Sequence, residues 1–83
     1  MSIEHKYVRH SELGFVLFPS QDNLWHKHIG VLIRQCFSKG ELVSAGFARL
    51  EGGDVFCYGE SESLKMRSKP EDSDLLAKQL GLD

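Results

Sequence analysis

Two adjacent glycines, Gly52 and Gly53, constrain the fold of this chain more than any other feature. They separate two runs rich in β-branched and aromatic residues. A Gly-Gly pair suits a type I′ turn, which needs positive φ at both central positions. We therefore predict a β-hairpin over residues 41–60. The turn would fix the register, pairing Glu51 with Asp54, Leu50 with Val55, Arg49 with Phe56, Ala48 with Cys57, Phe47 with Tyr58 and Gly46 with Gly59.

The alternation of side chains along this hairpin predicts two different faces. One face is small and apolar, so that a helix can lie on it closely; it carries Leu50, Val55, Ala48 and Cys57. The other face is aromatic with a charged fringe, and it carries Phe47, Tyr58, Phe56, Arg49, Ala45 and Glu60.

The length of 83 residues predicts one domain over positions 1–83, with a loose N-terminus at 1–6. A chain this short buries only about 60–65% of its unfolded surface, so further burial through self-association is expected. The net charge is −2, and the basic residues are scattered singly, which disfavours binding to a phosphate backbone. No signal-peptide pattern and no run of about 18 apolar residues is present, which predicts a cytoplasmic protein without membrane spans.

The cysteines give a second indication of compartment. Cys36 and Cys57 form no C-x-x-C motif, and we interpret them as reduced, buried thiols of a cytosolic protein. A disulfide between them is the less favoured alternative.

Two elements are predicted before the hairpin. Residues 13–18 are apolar on both alternating sets and end at Pro19, which predicts a strand covered on both sides, at a central or interface position. Residues 20–23 signal a helix start, and a helix of about four turns should follow to about residue 38. Its predicted apolar stripe comprises Trp25, Ile29, Leu32, Ile33 and Cys36, with Gly30 on the solvent side.

After the hairpin, residues 61–67 are polar and fit either a loop or a short strand pair. Residues 68–71 match the capping box S-x-x-E, and a short helix follows until Gly81. The predicted fold class is therefore α+β, with the order β-α-β-β-α and a three-stranded sheet carrying both helices on one face. The aromatic face, extended by Phe15 or Phe18, would then lie bare, and bare apolar patches usually mark contact surfaces.

Candidate catalytic and metal-binding patterns are weak. On a helix His26 and His28 point about 200° apart and cannot share a metal; on a strand they could, but the chain is too short for the barrels that use such pairs. The segment 59–63 lacks the final glycine of a G-x-S-x-G nucleophile elbow. The carboxylates are interpreted as surface or capping charges: Glu60, Glu62, Glu71, Asp72 and Asp74. We predict no enzyme activity, no metal and no cofactor.

The aromatic face therefore carries the functional prediction. We predict a non-enzymatic interaction module that self-associates as a homodimer or binds a protein partner, with interface residues Phe47, Phe56, Tyr58, Arg49 and Phe15. The alternative is a nucleotide or single-stranded nucleic-acid binding module that stacks bases on the same rings, but nucleic acid is disfavoured by the acidic charge.

Four segments carry a resemblance to known proteins: GFVLFP, SAGF, CYGESESL and SKPEDSDLLAKQLGL. With these segments the chain resembles a set of small uncharacterised proteins encoded by proteobacteria and their phages or prophages. The resemblance implies a bacterial or phage accessory protein, such as a modulator that binds a host component. It implies no catalytic or binding residues.

Overall fold

The computed structural model describes residues 3–82, and it has an α+β fold. The elements, in chain order, are β1 (Ile3–His10), β2 (Gly14–Pro19), α1 (His26–Cys36), β3 (Leu42–Glu51), β4 (Asp54–Tyr58), β5 (Glu60–Ser61), β6 (Met66–Arg67) and α2 (Asp72–Leu80). Strands β1 to β4 form an antiparallel sheet in the order β2-β1-β3-β4, and β5 pairs with β6 separately. Neither described helix is long and apolar enough to span a bilayer.

The predicted hairpin is present as β3 and β4. Gly52 and Gly53 have φ values of 59° and 88°, as a type I′ turn requires. The five predicted pairs from Glu51–Asp54 to Phe47–Tyr58 are confirmed, and β4 ends before the sixth, Gly46–Gly59, would form. A local turn signal together with period-two alternation was therefore sufficient to set this register.

The main sheet has four strands instead of the three predicted, because residues 3–6 of the segment expected to be loose (1–6) are part of a strand; residues 1 and 2 lie outside the described residues. Residues 3–10 form β1, which lies inside the sheet and pairs with both β2 and β3. Five of its eight residues, in IEHKYVRH, are charged or histidine, so the segment looks like a solvated lead-in. Tyr7 and Val8 are nevertheless fully buried. The strand predicted at residues 13–18 is β2, and it lies at the edge of the sheet instead of its centre.

The two helices pack on opposite faces of the sheet, which corrects the prediction that both cover one face. Through Leu76, α2 joins a core cluster on the Tyr7 side that also contains Phe15, Ala48 and Val55. Through Ile33, α1 joins a second cluster on the Val8 side with Phe18, Leu42 and Ala45. Adjacent residues of a strand point to opposite faces, so β2 contributes to both clusters. This explains why β2 is apolar at alternate positions on both sides without being central.

Helix α1 is turned relative to its predicted orientation. Its buried residues are His26, Gly30 and Ile33, whereas Leu32 is 55% exposed and Cys36 is exposed. Gly30 explains the orientation, because a Cβ there would lie 3.2 Å from the side chains of both Leu42 and Leu64. The missing side chain lets the helix approach these residues closely, and the apolar stripe predicted from spacing is only partly covered. The prediction that Cys36 is a buried thiol is wrong for the same reason.

Helix α2 begins with a buried acidic residue, Asp72, which the sequence placed at the surface. Its carboxylate accepts hydrogen bonds from the Tyr7 hydroxyl at 2.6 Å, from the Lys69 amide at 2.9 Å and from Arg9. Its side chain is fully buried. The N-terminus of α2 is thus fixed to β1 by this residue, with no side-chain cap from the position before it. The helix ends at Gly81, as predicted, in the left-handed conformation with φ of 73°.

The environment of Asp72 shifts two ionisation equilibria. Burial by itself raises the pKa of Asp72, but the hydrogen bonds from Tyr7, Lys69 and Arg9 outweigh it and leave the pKa below its usual range. Burial, reinforced by the bond to the carboxylate, raises the pKa of Tyr7 well above its ordinary value. Ser44 lies close enough to influence both groups, yet among residues 3–82 its buried Oγ has no partner in hydrogen-bonding geometry. The cluster therefore holds a charged Asp72 beside a neutral Tyr7 at pH 7.

Side chains from the two ends of α2 also reach the outer strands. Ser73 Oγ accepts a hydrogen bond from the Cys57 amide of β4 at 2.9 Å. Gln79 accepts one from the Phe15 amide of β2 at 2.8 Å and donates one to the Phe15 carbonyl at 2.9 Å. Unpaired groups on outer strands can pair with other chains. Helix α2 therefore protects part of each edge of the sheet.

Candidate interaction surface

Four of the residues predicted to form the interface lie together on the α1 side of the sheet. We call Phe47, Arg49, Phe56 and Tyr58 the aromatic surface. The rings of Phe47 and Tyr58 stack with 5.9 Å between centroids and an interplanar angle of 24°. The Arg49 guanidinium lies 5.6 Å from the centroid of Phe56 and 6.0 Å from that of Tyr58. Cross-strand pairing in the hairpin brings these side chains together.

The aromatic surface is accessible because α1 covers only part of its face. Phe56 is 43% and Tyr58 37% exposed, while Phe47 is half-buried. The residues that pack against α1 belong mainly to the part of the face formed by β1, β2 and the start of β3. Of the two described helices, α2 packs against β4 from the opposite face, and Phe56 and Tyr58 stay exposed at the corner formed by β4 and the end of β3. Phe15 does not belong to this surface, because it lies on the opposite face, 7% exposed, in the cluster with Tyr7 and Leu76.

Polar contacts hold the exposed rings in position. The Tyr58 hydroxyl donates a hydrogen bond to the carboxylate of Glu4 on β1. This bond, together with partial burial, raises the pKa of Tyr58. Arg49 also approaches Glu51 at 3.4 Å, although both side chains are about half exposed and such pairs contribute little. The surface therefore presents rings that are already ordered, with charged groups at the margin.

A groove of about 560 Å³ adjoins the aromatic surface. It lies between the start of α1 and the segment around β5, and it is lined by Lys6, Trp25, His26, Phe47, Glu60, Glu62 and Ser63. The segment 61–67, left open from the sequence, contains the last residue of β5, a turn over residues 62–65, and β6. Leu64 and Met66 of this segment pack against the core cluster under α1, and Glu62, its one acidic residue, lines the groove together with Phe47. The groove falls in the size range of roughly 300–1,000 Å³ that is typical of ligand sites.

His26 is the buried residue in the wall of the groove. Its Nε2 lies 2.8 Å from the Gly46 carbonyl oxygen, and its ring contacts Phe18 and Phe47 edge-on at centroid distances of 5.4 and 5.7 Å. Burial lowers the pKa of His26; the Gly46 carbonyl opposes this effect and the nearby Lys6 ammonium adds to it. His26 is therefore neutral at pH 7, and Nε2 carries the proton that the carbonyl accepts.

Hydrogen bonds to backbone groups fix the walls of the groove. Lys6 donates to the carbonyls of Gln21 and Leu24, both at 2.8 Å, and so holds the loop before α1. The Trp25 indole donates to the Asp22 carbonyl at 2.9 Å. On the other side, Ser63 Oγ accepts from the Lys27 amide at 3.1 Å. The groove is thus formed in the free protein, which reduces the entropy lost on binding.

The geometry is suited to binding more than to acid–base or nucleophilic chemistry. Burial raises the pKa of the Cys57 thiol to about 11, so the thiol is protonated at pH 7 and a poor nucleophile. His28 is exposed and stacks on Trp25 at 5.9 Å, away from His26. Within residues 3–82, no group of three or more His, Cys, Asp or Glu side chains is placed to hold a metal ion.

The sequence indicated the aromatic surface but missed the groove beside it. Trp25 was assigned to a buried stripe, yet it is 48% exposed. Lys6 was placed in a loose terminus, and Glu60 and Glu62 were interpreted as isolated surface charges. One signal was present, namely Gly30. It lies four residues after His26 on the same helix face, and its missing side chain lets Leu64, from the turn after β5, approach α1 closely. Comparison of the chain with protein-family models, with curated proteins and with solved structures found no match.

Proposed function

We propose that the protein is a non-enzymatic interaction module that binds another polypeptide through the aromatic surface, and that a second copy of the chain is its first partner. The observation that carries this proposal is the pair of exposed rings Phe56 and Tyr58 at a corner of the sheet that neither described helix covers. Aromatic residues and arginine are enriched at interface cores and at the positions that dominate binding energy. Arg49 lies directly beside both rings.

The size of the domain supports the same proposal. A small domain buries a limited fraction of its apolar surface, so association adds burial that the chain cannot supply itself. The proposed role also fits an accessory protein of a bacterium or phage, which would act by occupying the surface of a host component. In that case the same corner would bind the host protein.

A second candidate function is base stacking on the Phe47 and Tyr58 rings, which are already parallel within 24°. The surrounding charge opposes it, because Glu4 bonds to Tyr58 and Glu60 lines the adjoining groove. Single-stranded nucleic acid is normally held by a positively charged groove. We therefore rank this function below a protein partner; titration with oligonucleotides at low salt would quench Tyr58 fluorescence if it were correct.

The experiment compares two exposed apolar side chains on different surfaces. Phe56→Glu places a charge in the aromatic surface, and Leu32→Glu places one on the outer side of α1, where Leu32 is 55% exposed. Both sites lie outside the buried clusters, so both variants should fold, which circular dichroism would verify. Molar mass is measured by light scattering at two protein concentrations. We expect the wild type and Leu32→Glu to gain mass with concentration and Phe56→Glu to stay monomeric.

Two outcomes would contradict the proposal. If the wild-type molar mass stays at that of one chain at high concentration, the chain does not self-associate and a second copy is not its partner. If Leu32→Glu is monomeric while Phe56→Glu keeps the wild-type molar mass, the interface lies on the outer side of α1 and not on the aromatic surface.

A further inference from the structure

One ring nitrogen of His26 has no protein partner, although the residue is only 5% exposed. Nε2 donates its proton to the Gly46 carbonyl, so Nδ1 of the neutral ring carries a lone pair and can only accept a hydrogen bond. Among residues 3–82 no donor reaches Nδ1, and protein atoms do not enclose it completely. Because His26 lines the groove, this nitrogen presents an unused acceptor there. Buried polar groups are normally hydrogen-bonded, so the missing donor points to a ligand.

Lys6 places a donor in the same groove. Its ammonium has three N–H groups, and two of them bind the carbonyls of Gln21 and Leu24. Within the described part of the chain the third has no acceptor, and Lys6 lines the groove. The ammonium is near enough to His26 for its charge to help lower the pKa of that imidazole. The groove therefore offers a hydrogen-bond donor close to a hydrogen-bond acceptor.

The charges that line the groove disfavour an ionic occupant of either sign. The Lys6 ammonium repels a cation. The carboxylates of Glu60 and Glu62 repel an anion, and the lone pair of His26 Nδ1 cannot donate to one. A neutral group that both accepts and donates hydrogen bonds matches this mixture of ammonium, imidazole and carboxylates.

We propose that the groove binds the side-chain carboxamide of an asparagine or glutamine on the partner polypeptide. A primary carboxamide has one oxygen acceptor and two N–H donors on a single plane. Its oxygen accepts from Lys6, one N–H donates to His26 Nδ1, and the other donates to a carboxylate of Glu60 or Glu62. The inference rests on the proposed function, since it names a residue that the partner presents. Phe47 belongs to the aromatic surface and also lines the groove, so one partner segment can contact both.

The test uses three capped tripeptides of similar shape, Gly-Asn-Gly, Gly-Leu-Gly and Gly-Asp-Gly. Each is titrated into isotope-labelled protein, and NMR follows the indole N–H of Trp25, the single tryptophan, and Nδ1 of His26. We expect the asparagine peptide to bind about tenfold more tightly than the other two, because only it makes the full set of hydrogen bonds. Binding should also move the Nδ1 resonance towards that of a protonated nitrogen, as accepting a hydrogen bond does. Equal binding of the three peptides, or an unchanged Nδ1 resonance at saturation, would overturn the inference.

Two variants test the role of the imidazole. His26→Phe keeps a ring between Phe18 and Phe47 but removes the acceptor, so the preference for asparagine should disappear. His28→Phe is the control, because His28 is exposed and lies outside the groove lining; it should keep the preference. Circular dichroism verifies that both variants fold. If His26→Phe does not fold, the Nδ1 resonance of the wild type decides the question.

Repeating the titration on Phe56→Glu separates this inference from self-association. Phe56 lies outside the groove lining, so the variant should keep the preference for asparagine. Loss of the preference in Phe56→Glu would place the peptide on the aromatic surface and refute the groove as its site. A wild type that stays monomeric and still prefers asparagine would remove the second copy as partner and leave the carboxamide site standing.

Discussion

Replacing Asp72 by asparagine should destabilise the protein far more than the same change at Asp74, two residues along α2. Asp72 is fully buried and accepts three hydrogen bonds, two of them from Tyr7 and Arg9 on β1. Asp74 is exposed on the same helix. The pair of variants therefore separates the effect of the buried cluster from the general effect of negative charge near a helix start.

The magnitude follows from the partners of the carboxylate. Each hydrogen bond to a charged group contributes about 1.5–3 kcal/mol, and breaking a buried ion pair costs about 3–5 kcal/mol. Arg9 is 18% exposed and can turn to Glu71, which lies at 3.7 Å, so the cost should be near the lower end, about 3 kcal/mol. At Asp74 the loss should be about 0.3–1 kcal/mol. With about 4–12 kcal/mol expected for a domain of this size, the first change removes a large part of the total.

The assay is urea unfolding at pH 7, followed by circular dichroism. With a slope of about 1 kcal/mol per molar urea, Asp72→Asn should lower the midpoint by about 3 M and Asp74→Asn by less than about 1 M. A double-mutant cycle with Tyr7→Phe should show coupling, because the two groups are in direct contact. Equal small losses at both aspartates would refute the reasoning.

Acidification gives a second check on the same cluster. Because the pKa of Asp72 is lowered in the folded protein, its contribution is present above the unfolded pKa of about 3.9 and is lost as pH falls through the folded value. The difference in stability between wild type and Asp72→Asn should therefore shrink below about pH 4. A difference that stays constant down to pH 2 would show that the carboxylate is not the stabilising group.

Two further predictions concern packing and thiol reactivity. Gly46→Ala should lower the unfolding free energy by about 3 kcal/mol or more, because its Cβ would lie 2.5 Å from a backbone carbonyl of β4. An added Cβ at Gly53 meets no neighbour within 4 Å, so Gly53→Ala should cost only about 1–2 kcal/mol, because of its positive φ. If urea unfolding gave Gly46→Ala and Gly53→Ala similar losses of unfolding free energy, the clash at Gly46 would be contradicted. In alkylation followed by mass spectrometry at pH 8, the exposed Cys36 should react first. Cys57, with a pKa of about 11, should react on the order of a hundred times more slowly than a thiol of reference pKa. Equal alkylation rates for Cys36 and Cys57 would show that Cys57 is not protected.

The sequence was informative where local rules decide the structure. The β3–β4 register followed from two glycines with positive φ and from alternating side chains, and these signals need no distant contact. The same alternation placed Phe47, Phe56, Tyr58 and Arg49 on one side, which is where they lie. Gly81 ended α2 as its position predicted.

The sequence was misleading where remote partners decide. β1 looks solvated because its polar residues find their partners far along the chain: Arg9 and Tyr7 contact Asp72, which is 63 and 65 residues away. The orientation of α1 depends on Leu42 and Leu64, which contact a helix face that its own pattern does not identify. The groove was missed because it forms only when the segment around β5 folds back beside α1.

The contacts that Ser73 and Gln79 make with β4 and β2 have a consequence for aggregation. The Gln79 side chain bonds to the backbone of Phe15, 64 residues away in sequence, so protection of the β2 edge depends on α2 staying packed on the sheet. A variant that detaches α2 should therefore expose the unpaired backbone groups of both edge strands at once, and we expect it to aggregate through strand pairing.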